Sequence, residues 1–84
     1  MANIIIYSKD FCPYCERAKQ LLDHKKAAYH VIRVDLDSNK LTEMLERSGG
    51  RRTVPQIFID DIHVGGFDDL AALDQAGKLD DLLK

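Results

Sequence analysis

The chain has 84 residues, of which 45% are hydrophobic and 31% are charged, and its formal net charge is −2. This length suits one small domain, residues 1–84, and the hydrophobic content is enough for a single core. Because the charges are well mixed in sign, we expect neither a broad basic surface for nucleic acid nor a polybasic signal for membranes.

The N-terminus runs directly into a strand-like segment. Met1-Ala2-Asn3 has no cationic region, and neither a long apolar stretch nor a cleavage site follows it. We therefore expect a cytoplasmic protein, and nothing in the pattern asks for more than a monomer. In a reducing compartment, the two cysteines of the chain are better suited to catalysis than to a permanent cross-link.

The first part of the chain predicts a strand, a helix and a second strand. Residues 3–8 are almost entirely apolar and β-branched or aromatic, which is typical of a buried strand. Residues 13–26 predict an amphipathic helix. Its apolar positions are Tyr14, Ala18, Leu21 and Leu22. Residues 29–35 then form a second strand, and a right-handed crossover makes the two strands parallel.

A second helix and a hairpin follow. Asp37 or Ser38 can cap the helix, and Ser48-Gly49-Gly50 ends it. Residues 56–60 and 62–65 read as strands separated by too few residues for a crossover, so we expect an antiparallel hairpin.

The last helix is predicted to begin at an Asp68 cap and to end at Gly77, and residues 79–83 add one more helical turn. The predicted order is therefore βαβ, α, ββα. This order describes an α/β fold with a four-stranded mixed sheet that is flanked by helices.

Cys12-Pro13-Tyr14-Cys15 stands where the first strand gives way to the first helix. The first turn of a helix offers unpaired N–H groups and a partial positive charge, which favour a thiolate over a thiol. Lys9 adds a nearby cation, so we expect the pKa of Cys12 to lie below the value of about 8.5 for a free thiol. One helical turn later, Cys15 can attack a mixed disulfide formed on Cys12. The motif therefore favours a redox dithiol.

Other interpretations of the two cysteines are weaker. Structural zinc needs further ligands, and His24, His30 and His63 are far apart with no ligand spacing. A purely structural disulfide across so small a loop removes little entropy from the unfolded chain. Two buried, inert cysteines stay possible, although polar neighbours such as Lys9 and Glu16 suggest an exposed edge.

Two later stretches can form a ligand site. Arg51-Arg52-Thr53-Val54-Pro55 places a proline before a strand, with a cis Val54–Pro55 bond or an ordinary trans loop as the alternatives. If this loop lies beside Cys12, the backbone of Val54 can pair with a ligand and the arginines can bind a carboxylate. Gly65-Gly66-Phe67-Asp68-Asp69 is either a strand end with a helix cap, or amides for a carboxylate beside an aspartate for an ammonium group.

Together, Cys12-Pro13-Tyr14-Cys15, Thr53-Val54-Pro55 and Gly65-Gly66-x-Asp68-Asp69 resemble the motifs of dithiol glutaredoxins, of the small bacterial glutaredoxin 3 type. The resemblance covers essentially the whole chain. It implies a thioredoxin fold, a cis Pro55 and glutathione as the electron source. Thioredoxin itself carries Trp before its first cysteine and Gly-Pro inside its motif, whereas this chain contains no Trp.

The resemblance also implies roles for individual residues. Cys12 is the nucleophile and Cys15 the resolving thiol. The residues implied in glutathione binding are Lys9, Tyr14, Arg52, Thr53, Val54, Pro55, Gly66, Asp68 and Asp69. Among them, Lys9 and Arg52 lie nearest the glycine carboxylate, and the Val54 backbone pairs with the cysteinyl unit. Asp68 and Asp69 take the γ-glutamyl end.

This chain departs from its relatives at two places. Phe67 stands where some relatives carry an extra cysteine, and Arg51 adds a second cation beside Arg52. The choice between the two arginines is therefore open at this point.

We expect a glutathione-dependent oxidoreductase that reduces glutathione mixed disulfides and protein disulfides. It needs no metal and no tightly bound cofactor, since glutathione is a co-substrate. Its protein partners are disulfides and glutathionylated proteins, with ribonucleotide reductase as one candidate. The rival hypotheses are an iron–sulfur carrier, which Pro13 and Tyr14 disfavour, and a thioredoxin-like donor reduced by a flavoprotein.

Overall fold

The computed structural model describes residues 2–84, which form strands and helices in the predicted order. The elements are β1 (Ile4–Ser8), α1 (Pro13–His24), β2 (His30–Arg33), α2 (Ser38–Arg47), β3 (Gln56–Ile59), β4 (Ile62–Gly65), α3 (Phe67–Gln75) and α4 (Leu79–Leu83). Two elements are shorter than predicted. α1 ends before Lys26, which has a positive φ of 58°, and β2 ends at Arg33, whose guanidinium binds Asp35.

The sheet has the strand order β2-β1-β3-β4. β1 pairs in parallel with β2, and antiparallel with β3, where Tyr7 lies opposite Gln56. β3 and β4 form the predicted antiparallel hairpin. These pairings confirm a mixed four-stranded sheet of the thioredoxin type.

Alternating residues of β1 face two different layers. Ile4 and Ile6 lie in one apolar cluster with Leu22 of α1 and Leu70 of α3. Tyr7 lies in a second cluster on the other face; its buried companions are Val34, Met44 and Phe58. The sheet is therefore covered by α1 and α3 on one side and by α2 on the other.

Two details of the helices differ from the sequence expectations. Tyr14 was expected in the buried stripe of α1, but 53% of its surface is exposed. Cys15, Ala18 and Leu22 are the buried residues of that helix instead. At the start of α3, the N-cap residue is Gly66 rather than Asp68, because the carboxylate of Asp69 accepts the Gly66 amide at 3.0 Å.

The strand directions bring the predicted motifs to one end of the sheet. β1 finishes at Ser8, and its antiparallel neighbour β3 begins there, with Gln56 beside Tyr7. β4 finishes at Gly65, beside Ile57 of β3. The Cys12 loop, the Thr53–Pro55 loop and the start of α3 therefore meet at this edge. Within residues 2–84, no helix combines the length and apolar character needed to cross a membrane.

Candidate active site

Cys12 occupies the N-cap position of α1 and forms a disulfide with Cys15. Its backbone is extended, with φ of −115° and ψ of 97°, and its Sγ atom accepts the Cys15 amide at 3.2 Å. The first turn of α1 therefore directs an N–H group at the sulfur, as an N-cap side chain requires. The structure confirms the cysteine pair that the motif predicts.

The two sulfur-bearing residues differ in exposure. Cys12 is 8% exposed, whereas Cys15 is 0% exposed. The polar neighbours suggested a more open edge than this, but both cysteines are buried, and Cys12 Sγ lies beside the Val54 carbonyl. An incoming disulfide can reach Cys12 first, and Cys15 only after local movement.

The loop before Cys12 is tied to the end of β2 by a small charged cluster that the motifs did not indicate. The Asp10 amide donates to Asp35 at 3.1 Å, and the Arg33 guanidinium donates to both Asp35 oxygens at 2.8 and 2.6 Å. The bonds from Arg33, with a smaller contribution from the Asp10 amide, hold the pKa of Asp35 well below its usual range. The parallel pairing of β1 with β2 is the sequence signal that could have placed Asp35 here.

Val54 lies directly beside the redox pair. The Val54–Pro55 peptide bond is cis, as the resemblance implied. The carbonyl oxygen of Val54 lies 3.8 Å from the Sγ atom of Cys12. The loop therefore presents main-chain polar groups next to the sulfur that a substrate would reach first.

A cavity of about 530 Å³ lies on one side of Val54. Its lining residues are Lys9, Val34, Asp35, Leu41, Arg52, Thr53 and Val54. Lys9 and Arg52 give this cavity two cations against the single carboxylate of Asp35. It is therefore suited to an anionic group such as a carboxylate.

A second cavity, of about 230 Å³, lies on the other side and shares Thr53 and Val54 with the first. Its other lining residues are Tyr14, Arg51, Pro55, Gly66, Phe67, Asp68 and Asp69. Arg51 Nη1 lies 3.7 Å from Asp69, so part of the charge here is compensated internally. Asp68 is exposed at the first turn of α3.

The structure thus brings every predicted glutathione residue to one of the two cavities, with Cys12 beside their common wall. It separates the two arginines, since Arg52 lines the larger cavity and Arg51 the smaller one. Sequence reasoning missed Val34, Asp35 and Leu41. Among residues 2–84, no group of three or more His, Cys, Asp and Glu side chains is arranged to hold a metal ion.

Comparisons with known proteins agree with this geometry. The glutaredoxin family model matches residues 4–64. The chain is 56% identical to glutaredoxin 3 of Escherichia coli strain K12, over 100% of both chains. It is similar to the solution structure of a Brucella melitensis glutaredoxin, with a TM-score of 0.86 and 54% identity, covering 100% of this chain and 90% of the other. A buckwheat glutaredoxin–glutathione complex has a TM-score of 0.87 and 35% identity, covering 98% of this chain and 76% of the other.

Proposed function

The chain belongs to the glutaredoxin family and is a glutathione-dependent thiol-disulfide oxidoreductase with a redox cysteine pair, and we propose that Cys12 is its nucleophile and Cys15 its resolving thiol. The observation that carries this assignment is the position of Cys12. Cys12 is the more exposed residue of the pair, its Sγ accepts a hydrogen bond from an N–H of the first turn of α1, and it lies beside Val54. That environment stabilises a thiolate in the reduced protein.

In the reaction with a glutathione mixed disulfide, the Cys12 thiolate attacks the glutathione sulfur. The substrate leaves as a thiolate, and Cys12 carries glutathione in a new disulfide. A second glutathione thiolate then attacks that disulfide, which releases oxidised glutathione and returns the Cys12 thiolate. One free glutathione is consumed for each mixed disulfide, because the glutathione carried on Cys12 comes from the substrate and leaves with the attacking one as oxidised glutathione.

Protein disulfides follow a second route that needs Cys15. Cys12 attacks the protein disulfide and forms a mixed disulfide with one protein sulfur. Cys15 then attacks Cys12, which frees the reduced protein and leaves the Cys12–Cys15 disulfide seen in the structure. Two glutathiones reduce this disulfide in turn.

Glutathione is proposed to lie across the two cavities. Its cysteinyl unit pairs with the Val54 backbone, and its glycine carboxylate enters the larger cavity toward Lys9 and Arg52. Its γ-glutamyl end enters the smaller cavity toward Asp68 and Asp69. The charges of the two cavities support this orientation, and the buckwheat glutaredoxin–glutathione complex, a structural neighbour, supports glutathione as the ligand.

The remaining parts of the proposal concern partners and setting. We propose that the 84 residues act as one monomeric domain in the cytoplasm. Its protein substrates are disulfide-bonded and glutathionylated proteins, with ribonucleotide reductase as a candidate. Glutathione is consumed as co-substrate, and no tightly bound cofactor takes part.

Turnover of a glutathione–small-thiol mixed disulfide, coupled through glutathione reductase to NADPH oxidation, tests the proposal. We expect activity in the wild type and in Cys15→Ser, and none in Cys12→Ser. With a protein disulfide as substrate, both variants should be inactive. Equal loss in both variants on the mixed disulfide would contradict the assigned roles. Reduction by thioredoxin reductase in place of glutathione would favour the thioredoxin-like alternative.

A further inference from the structure

A chain of hydrogen bonds leads from the cavity wall into the sheet. The side-chain Nε2 of Gln56 donates to the carbonyl oxygen of Thr53 at 2.9 Å and to its hydroxyl at 3.1 Å. The Oε1 atom of Gln56 lies 2.7 Å from Nε2 of His63. Gln56 is 0% exposed, so its side-chain amide depends on these protein partners for its hydrogen bonds. The buried side-chain amide of Gln56 therefore holds Thr53 in place through two hydrogen bonds.

The direction of each bond in this chain is fixed by chemistry. The Thr53 carbonyl can only accept, so the Gln56 atom that faces it must be the NH₂ group. The other end of the amide is then a carbonyl oxygen, which also can only accept. His63 must consequently donate from Nε2, which makes the neutral ring the Nε2–H tautomer.

The imidazole of His63 is itself held in place. It stacks on Phe58, its partner across the hairpin, with ring centroids 4.7 Å apart and planes inclined by 20°. The guanidinium of Arg47, from α2, lies 4.1 Å from the centroid of the same Phe58 ring. Packing of β4 against β3 and α2 therefore determines where the Nε2–H group points.

We propose that Gln56 and His63 are positioning residues that orient the Thr53–Pro55 loop for glutathione. Neither side chain lines either cavity, so both act through Thr53. The inference rests on the proposed glutathione site, whose Val54 backbone follows Thr53 directly. Without the His63 donor, the Gln56 amide can rotate. Its NH₂ group then no longer holds Thr53, and with it the loop, in a single orientation.

Steady-state kinetics on His63→Phe test this role. Phenylalanine keeps an aromatic ring to stack on Phe58 but has no N–H donor. We expect KM for the glutathione mixed disulfide to rise about three- to ten-fold, as for one lost hydrogen bond, with kcat changed less than two-fold. His63→Gln restores a donor and should return KM toward the wild-type value. His24→Phe, on the exposed last turn of α1, is the matched control and should leave both constants unchanged.

Several outcomes separate this role from simple stabilisation. Partial unfolding would lower kcat with KM unchanged, and a wild-type KM in well-folded His63→Phe would overturn the inference. An inactive wild type would instead refute the proposed function. If His63→Phe does not fold, heteronuclear NMR of the unaltered protein decides. An Nε2–H tautomer of His63, with a scalar coupling across its hydrogen bond to Gln56, would support the proposed role. An Nδ1–H tautomer would overturn it.

Discussion

Arg51 and Arg52 are neighbours in sequence but line different cavities. Arg52 shares the larger cavity with Lys9, whereas Arg51 lies 3.7 Å from Asp69 in the smaller one. A carboxylate ligand therefore meets an excess of positive charge on the Arg52 side, where Lys9 and Arg52 face the single carboxylate of Asp35. The sequence could show that the loop carries cations, but not which arginine faces a carboxylate ligand. The path of the loop decides how two consecutive side chains diverge.

This difference predicts unequal effects of charge removal. Arg52→Gln should raise KM for the glutathione mixed disulfide about five-fold, the equivalent of roughly 1 kcal/mol for an exposed ion pair. Arg51→Gln, the matched control, should change KM less than about two-fold, because its charge is partly met by Asp69. Added salt should reduce the difference in KM between the wild type and Arg52→Gln, because it screens the charge of Arg52. The opposite order of the two variants would assign the carboxylate to Arg51.

At the scale of single elements, the positions of helices were easier to predict than their caps. Apolar spacing located α1, since periodicity depends only on residues within the helix. The predicted start of α3 was wrong. The carboxylate of Asp69 accepts the Gly66 amide, so the helix begins two residues earlier than it would with an Asp68 cap. Tyr14 was also misplaced: its ring is half exposed and lies 6.2 Å from the Phe67 ring at the start of α3, outside the core.

The cap of α2 gives a prediction about stability. The Asp37 carboxylate accepts the Asn39 amide at 2.9 Å and so satisfies one free N–H of the first turn. Asp37→Ala should lower the free energy of unfolding by about 1 kcal/mol, measured by urea titration. Asp61→Ala, in the exposed turn between β3 and β4, should change it by less than about 0.5 kcal/mol. Equal losses in the two variants would show that the effect is one of charge and not of capping.

At the scale of the whole molecule, the site is a product of strand direction. Parallel β1–β2 and antiparallel β1–β3 pairings carry three separate loops to one edge. Connection lengths predicted the parallel β1–β2 pair and the antiparallel β3–β4 hairpin, but not the antiparallel β1–β3 pair that joins them. The chain of hydrogen bonds from Thr53 through Gln56 to His63 was not predictable, because it depends on a cross-strand register with an irregularity between Ile57 and Phe58. Strand alternation puts the side chains of His63 and Val64 on different faces of the sheet, but it does not identify the partners of His63.

His63 also gives the folded protein a pH dependence. Burial, then repulsion from Arg51 and, less, Arg47, lowers the pKa of His63, while Asp69 opposes the shift. A histidine with a lowered folded-state pKa binds more protons when unfolded. The contribution of His63 to the free energy of unfolding should therefore be largest above its unfolded-state pKa of about 6.5. It should be lost as the pH falls through the lower folded-state pKa.

Urea unfolding between about pH 8 and pH 5.5 measures this effect, above the range where carboxylates titrate. The wild type should lose stability on acidification, and His63→Phe should lose less over the same interval. His24→Phe, at an exposed position at the end of α1, is the control for replacing a histidine by phenylalanine. Parallel curves for wild type and His63→Phe would show that His63 does not contribute.

The central claim is that glutathione attached to Cys12 lies across the two cavities. NMR of the mixed disulfide between glutathione and Cys15→Ser locates it most directly. We predict contacts from the cysteinyl unit to Val54, from the glycine end to Lys9 and Arg52, and from the γ-glutamyl end to Asp68. Glutathione that is bonded to Cys12 but free of such contacts, or that lies with its ends reversed, would contradict the account.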